Sequence, residues 1–418
     1  LRRCIQHKAD IGSQRDPAHR RFGQEERHVH VTQIDEVEHL PAAGDDLAQW
    51  CQVSYIDGAL TRREILRTSG ASDAYHDWHE RISDDDGRTW SDPRPIPGVV
   101  DQRPDGGIVT YPCGHHYDDA LGILYEKRMR RIWPGLEVYT FHWEGHQHPF
   151  NDHTFVVEDG RDVLLRFEDG PDYDPQNPFD PEFCRTNSSY LGVGIAFGED
   201  GSAYYPLVCQ PAGHSHNTGG LVLMRRDPGS GEWSPSNQQF VDPEISSRGL
   251  LEPDVTLLKN GHLLVVMRGS DSPTTPGRKW FSVSTDGGKT LSPVEEFRYD
   301  DGSSFYSPSS IHSLVRSRKN GRLYWIANIT EEPPSGNSPR YPLYIAEIDE
   351  EKVAVRRDSL VCIDDRHDGE PDAVQLSNFS VVENRQTLDI EIYLTRIGEI
   401  PDHFWQGAVY QYTFTPQA

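Results

Sequence analysis

The stretch Glu252-Pro-Asp-Val-Thr-Leu-Leu-Lys-Asn-Gly-His-Leu-Leu-Val-Val-Met-Arg268 carries a carboxylate and a guanidinium at its two ends, with an Asn-Gly turn midway. Two β-rich runs joined by such a turn bring both residues to the same end of one hairpin. A Glu beside an Arg stays ionised at neutral pH and can activate a nucleophile or orient a Tyr or His. Pro253 biases Glu252 toward an extended backbone. The alternative is a structural ion pair at a strand end. Further along, Phe305-Tyr306-Ser-Pro-Ser-Ser-Ile-His312 offers a phenol and an imidazole that would complete a cleft.

Histidine is the other chemical signal. The chain holds 19, among them His115-His116, His142, His146, His148, His153, His214 and His216. Near neutral pH an imidazole can take or give a proton, so a cleft lined by His116, His146 and His214 suits hydrolysis and also β-elimination of a uronate. Plain surface histidines are the alternative, and a zinc site from His142, His146 and His148 has the ligand types but no other support. No cofactor or metal is expected.

The elements that must position these groups are strands. With 36 Gly, 30 Pro and only 3 Met in 418 residues, turns interrupt the chain too often for long helices, while 10% aromatic residues supply the bulk of a core. Short runs such as Leu121–Glu126, Leu136–Phe141, Asp162–Phe167, Ser202–Val208, His262–Met267, Leu323–Ala327, Tyr341–Ala346 and Ile390–Leu394 alternate with Gly, Asp, Pro and Asn clusters. Turns of the type Lys259-Asn-Gly261 and Lys319-Asn-Gly321 should supply the positive φ angles of tight hairpins. Residues 1–28 lack apolar periodicity and are expected as a peripheral arm before a single domain over 29–418.

A net charge of −25 would repel a nucleic-acid backbone or an anionic membrane face, though a few arginines in a cleft could still hold an anionic small ligand. No apolar stretch is long enough to span a membrane. Six separated cysteines form no CxxC pair, and most are expected as buried free thiols. The opening residues lack a secretion-signal core, so a cytoplasmic chain or a secreted one with its leader removed fits equally, and the oligomeric state stays open.

One pattern repeats. Ser83-Asp-Asp85-Asp-Gly87-Arg-Thr89-Trp90 and Ser284-Thr-Asp286-Gly-Gly288-Lys-Thr290-Leu291 share five positions, and Asp227-Pro-Gly229-Ser-Gly231-Glu-Trp233 is a degenerate third copy. Asp and Ser side chains would bond turn amides, with the apolar residue plugging between sheets. These strings resemble the Asp boxes, or bacterial neuraminidase repeats, of the sialidase superfamily. The resemblance implies an all-β fold, a six-bladed β-propeller, in which such turns are structural.

The same resemblance assigns roles. Glu252 matches the sialidase Glu that activates a tyrosine nucleophile, and Arg268 matches one of three arginines that grip the substrate carboxylate. Arg340, after an Asn/Pro loop, matches a further one, so two forks would clamp an anion. The first family arginine has no counterpart in Val31–Pro41. Leu376-Ser-Asn378-Phe379-Ser380 carries Phe where the family has its Tyr, which leaves Tyr306 as the replacement and Asn378 beside the ligand. Asp73, or Asp77, would be the acid/base carboxylate. The expected function is an exo-acting glycoside hydrolase releasing an acidic terminal sugar. A uronate lyase using His or Tyr306, and a non-catalytic glycan-binding propeller, are the alternatives.

Overall fold

The computed structural model describes residues 34–71, 74–103, 106–133, 153–174, 180, 182, 186–209 and 218–417. The expected arm over 1–28, the Leu136–Phe141 run, Asp73, His142, His146, His148, His214 and His216 lie outside them. Six antiparallel sheets follow one another around an axis as a six-bladed β-propeller. The first blade pairs Ala48–Tyr55, Arg62–Ala71, Ala74–Ser83 and Arg94–Pro95. The second combines Val100–Arg103, Gly106–Asp118, Ile123–Trp133, His153–Glu158 and Arg161–Leu164. Blade 3 is built on Ser189–Leu191, Ala203–Cys209, Gly220–Arg226 and Trp233–Pro235. Blade 4 joins Leu251–Leu257, Leu263–Arg268, Lys279–Ser284 and Glu295–Glu296. Blade 5 is centred on Ser313–Arg316, Leu323–Asn328 and Leu343–Asp349, and blade 6 on Phe379–Glu383, Ile390–Thr395 and Val409–Phe414.

Successive side chains on a strand point to opposite faces, so a strand sandwiched between two neighbouring blades must be apolar on both. Leu323–Asn328 does this. Trp325 and Ala327 pack with Leu264 and Val266 of blade 4. On the opposite face Tyr324 and Ile326 pack with Ile390 and Ile392 of blade 6. Comparable layers lie between blades 2 and 3 around Tyr125 and Tyr205, and between blades 3 and 4 around Leu221 and Val265. Ile65 and Trp78 meet Tyr111 and Met129 between blades 1 and 2.

The two Ser-X-Asp-X-Gly-X-Thr turns are built alike. Asp85 Oδ1 accepts from the Thr89 amide at 2.8 Å and Oδ2 from the Thr89 hydroxyl at 2.7 Å. Asp286 holds Thr290 through the same two bonds at 2.9 and 2.7 Å. Ser83 and Ser284 accept from the Gly87 and Gly288 amides at 2.8 and 2.9 Å, where φ is 85° and 83°. The Asn-Gly turns differ from expectation. Only Gly261 and Gly321 have positive φ, while Asn260 and Asn320 use their side-chain oxygens to accept from the amides of His262 and Arg322. Cys51 and Cys209 are buried free thiols and Cys113 is a half-buried one, whereas Cys362 departs from expectation in being disulfide-bonded.

The ring closes through both ends of the described chain. Ile34–Leu40 is the outermost strand of blade 6 and pairs antiparallel with Val409–Phe414. Blades 6 and 1 then meet through Tyr393, Val409, Val53 and Leu66 and through Arg62, which is buried. Arg62 bonds Asp86 at 2.9 Å, Glu391 at 2.6 Å and the Tyr55 hydroxyl at 2.8 Å.

This seam and the repeated turns can each be tested. Arg62→Met leaves Asp86 and Glu391 buried without their cation and should cost about 3–5 kcal/mol in denaturant unfolding; a loss under 1 kcal/mol would contradict the clasp. The hydroxyl and amide of Thr290 hold the Asp286 carboxyl at about 2, as the amide and hydroxyl of Thr89 hold Asp85. A carboxyl depressed in the folded state stabilises above its unfolded pKa and loses that contribution as pH falls through the folded value. Thermal stability should therefore drop between roughly pH 4 and 2, and Asp286→Asn should flatten that slope.

Candidate functional site

Glu252 stands where the chain enters the first strand of blade 4. Its backbone is not extended: φ is 39°, and the ladder to the next strand breaks between the Leu251–Arg268 and Asp254–Val266 pairs. The bulge outweighs the extended preference that Pro253 imposes, and left-handed geometry at a non-glycine residue is held only by strong surroundings. Those surroundings are visible. The Pro253 carbonyl accepts from the Val193 amide of blade 3 at 2.8 Å.

The carboxylate that this turn presents is gripped by Arg268, whose Nη1 donates to Glu252 Oε2 at 2.6 Å. Side-chain exposures are 16% for Glu252 and 9% for Arg268, so the pair lies at the edge of solvent. Burial alone would raise the Glu252 carboxyl, but Arg268 beside it, with Arg340 and Arg248 adding positive field, holds it below the usual carboxylate range.

Arg340 belongs to the same cluster. Its Nη1 donates to Gln375 Oε1 and Ser377 Oγ, each at 3.1 Å, and its Nη2 donates to the Ser309 carbonyl at 3.0 Å. Ser309 is the bridge, because its hydroxyl accepts from Arg268 Nε at 2.9 Å. The third donor of Arg268, Nη2, reaches Asn337 Oδ1 at 3.2 Å. Below them, the buried Lys279 donates to the carbonyls of Pro308 and Ser310 and so fixes the loop that carries Ser309. Burial and then Arg268 push the Lys279 amine well below its ordinary value, with Arg340 adding to Arg268 and Glu252 opposing. The buried Asn328 amide donates to the Arg340 and Leu376 carbonyls at 3.0 Å each, which sets the rim of blade 5 against that of blade 6.

The structure therefore brings Glu252, Arg268 and Arg340 together. Asn378 is adjacent, next to Ser377 in the chain and at φ 61°. Two other candidates sit differently. His312 has no exposed surface, and the Trp325 indole donates to its Nδ1 at 3.3 Å, so it is a strut beneath the site and not part of the cleft surface. Tyr306 pairs with Thr330 and lies under the Arg278 guanidinium at 4.6 Å, away from any hydrogen bond to Glu252. Asp77 is exposed and accepts from the Thr68 hydroxyl at 3.0 Å. Residue type alone does not single out Ser309, Asn337, Lys279 or Asn328. Ser309 and Asn337 lie inside loops whose Pro, Ser and Asn content marks them as irregular; Lys279, in a strand, carries no such signal.

His116 belongs to a second, deeper cluster. Burial, then Lys127 and His115, push its imidazole well below the ordinary value. Lys127 donates to the carbonyls of Gly192 and Val193, and burial brings its amine down to about 8. Asp254 accepts from the amides of Val255 at 2.9 Å and Leu314 at 2.7 Å, and burial brings its carboxyl up to about 6. Gly194 is required here, since a Cβ would stand 2.6 Å from the Asp254 carboxylate.

These strands and this site can be set beside known proteins. No protein-family model matches the chain, and no curated protein matches it. Solved structures do. The NanB sialidase of Streptococcus pneumoniae superposes with a TM-score of 0.57 at 12% identity, over 90% of this chain and 70% of that one. The chain's fold is sialidase-like. The intramolecular trans-sialidase of Ruminococcus gnavus follows with a TM-score of 0.51 at 13% identity, over 91% and 99% of the two chains. The α-L-arabinofuranosidase of Fusarium graminearum reaches 0.50 at 14% identity, over 90% and 96%. At such identities this sialidase-like propeller shares their architecture, and its chemistry has to be argued from its own side chains.

The hydrogen bonds of His312 yield a prediction. An indole N–H only donates, so His312 Nδ1 must be unprotonated and the proton must sit on Nε2. Burial, with Lys279 and Arg268 adding repulsion, depresses its pKa. Nitrogen chemical shifts of His312 should report the neutral Nε2–H tautomer from about pH 8 to below its usual range near ~6.5; an imidazolium at about pH 6 would refute the strut.

Proposed function

We propose that this propeller is a glycoside hydrolase that releases an acidic terminal sugar from a glycan. The observation that carries the reading is the cluster of Arg268 and Arg340 around one Glu252, with Arg248 adding positive field. In a chain of net charge −25, a partly buried cluster that gathers, among the described residues, Arg268, Arg340 and Arg248 about one carboxylate suits an anion. Arg268 and Arg340 take the carboxylate of the sugar. Serine and amide oxygens have already fixed both forks, so little ordering remains to be done on binding.

Glu252 then faces the reacting end of a ligand held by those arginines. Kept ionised by Arg268, it serves as base, nucleophile or stabiliser of an oxocarbenium-like transition state. No tyrosine among the described residues hydrogen-bonds Glu252, which favours its direct participation over relay through Tyr306. A proton for the leaving group comes from Asp73 or His146, on segments that carry the appropriate groups. His116 and His214 are assigned to the sugar's hydroxyls, and Asn378 to the rim. The NanB and trans-sialidase resemblance in fold supports an acidic sugar, and the arabinofuranosidase shows that a similar architecture is also found with other sugar specificity.

Aryl glycosides of N-acetylneuraminic acid and of glucuronic acid, offered to the purified chain, should release the aryl group with a new reducing sugar. A 4-O-linked oligouronide offered in parallel, which has a leaving group on O4, would give unsaturated-uronate absorbance if the chain eliminates instead, and no signal from either substrate would indicate a binding propeller. Arg268→Ala and Arg340→Ala should each weaken productive binding by on the order of 2–4 kcal/mol, with Lys only a partial rescue. Glu252→Gln should cut turnover by roughly 10²-fold while the thermal midpoint stays close to that of the unaltered chain. A lowered midpoint with unchanged activity per folded molecule would make Glu252 a structural ion-pair partner.

A further inference from the structure

Asn337 lies at the exposed end of the Arg268 fork, in the loop that runs from Glu331 to Arg340. A guanidinium only donates, so the atom 3.2 Å from Arg268 Nη2 must be the amide oxygen, and this fixes the flip of the whole carboxamide. Nδ2 is then turned away from Arg268, and among the described residues it makes no hydrogen bond. A guanidinium has five N–H groups, and Arg268 uses three of them, on Ser309, Glu252 and Asn337. Asn337, exposed beside Arg268, therefore has its Nδ2 donors available next to that fork.

The loop that carries Asn337 is anchored to the floor of the site. Gly336 donates its amide to Asp271 Oδ1 at 2.9 Å, and the Gly336 carbonyl accepts from the Ser309 amide at 2.9 Å. Ser309 is the residue that bridges both arginines, so Asn337 is held in register with them on either side. An exposed amide with no role would have no need of such an anchor.

We propose that Asn337 is a ligand-contacting selectivity residue: its Nδ2 donates to the anionic group that Arg268 holds, and Asp271 positions it by fixing Gly336. This rests on the reading of the site as an anion-binding cleft. The donor favours an anion with a second acceptor oxygen beside the one on Arg268, as in a carboxylate. It works against a neutral sugar, whose hydroxyl or ester oxygens accept more weakly from the Arg268 and Asn337 donors than a carboxylate does.

The test is calorimetric titration of the full chain with sodium N-acetylneuraminate and sodium glucuronate, with the methyl ester of each sugar as neutral control. Asn337→Leu removes the donor and should weaken binding of the acid that binds by about 10-fold. Asn337→Asp sets a carboxylate against the ligand's own charge and should weaken it by about 100-fold, with little change for the methyl ester. Asp271→Ala should weaken acid binding in the unaltered chain and have no further effect when combined with Asn337→Leu. Since Asn337 is exposed, its variants should keep the thermal midpoint. Tight acid binding that Arg268→Ala abolishes and both Asn337 variants retain would overturn this proposal alone. No acid binding by the unaltered chain would overturn the anion-cleft reading and this proposal with it.

Discussion

A propeller has no hydrophobic centre of its own, so everything depends on closing the ring. Each blade buries its faces only against its two neighbours, and an open ring would leave two sheets exposed. Closure here is made by pairing Ile34–Leu40 with Val409–Phe414, then locking the completed blade 6 against blade 1. The lock is polar as well as apolar. Arg62 is surrounded by Asp86, Glu391, Tyr55 and Tyr393, so that neither carboxylate is buried without its cation. His39, on the closing strand, adds a 2.6 Å bond to Glu64 of blade 1. Sequence-remote ends are thus tied by directional groups, which also set the rotational register of the blades.

That register is what positions the site. Glu252 and Arg268 share blade 4, but Ser309 and Asn337 enter from the connections into and within blade 5, and Gln375 and Ser377 from the connection into blade 6. A shift of one blade against the next would separate the two guanidinium groups, because Ser309 touches one with its hydroxyl and the other with its carbonyl. Buried amides and amines such as Asn328 and Lys279 spend their hydrogen bonds on loop carbonyls. Removing any of them would leave buried polar atoms unsatisfied, so the site resists drift for the same reason that a core resists cavities.

The fold is legible in the sequence because its signals are local. Alternating aromatic and β-branched runs, Gly-Asp turns and the duplicated Ser-X-Asp-X-Gly-X-Thr string each report on a few adjacent residues, and repetition around the ring multiplies them. The Glu252–Arg268 pairing is legible for the same reason, being the two ends of one hairpin. Arg340 is reachable only through resemblance. The backbone of Glu252 defies its sequence because a pre-proline preference of modest size loses to a bulge held by Val193, a residue of another blade. Likewise His312 and Tyr306 share a short stretch with Ser309, yet only Ser309 faces the arginines. The path of that loop depends on Lys279 and Gly336, neither of which a linear pattern connects to it.

Charge explains why the site needs this much support. Among the described residues, Arg268, Arg340 and Arg248 all act on the one Glu252 carboxylate, and in a partly desolvated cleft the interactions of such charges are weakly screened. Lys279 lowers the cost by giving up its proton preference, and Ser309, Gln375, Ser377 and Asn337 spread the remaining charge through hydrogen bonds to neutral oxygens. These neutral partners hold the guanidinium groups in place. On the proposed reading, an added negative charge would join this cluster with little rearrangement of the groups that hold it. On the proposed anion-binding reading, these hydrogen bonds hold both forks in place before a ligand arrives, and the ring closure and the inter-blade cores supply the stability that such a cluster costs.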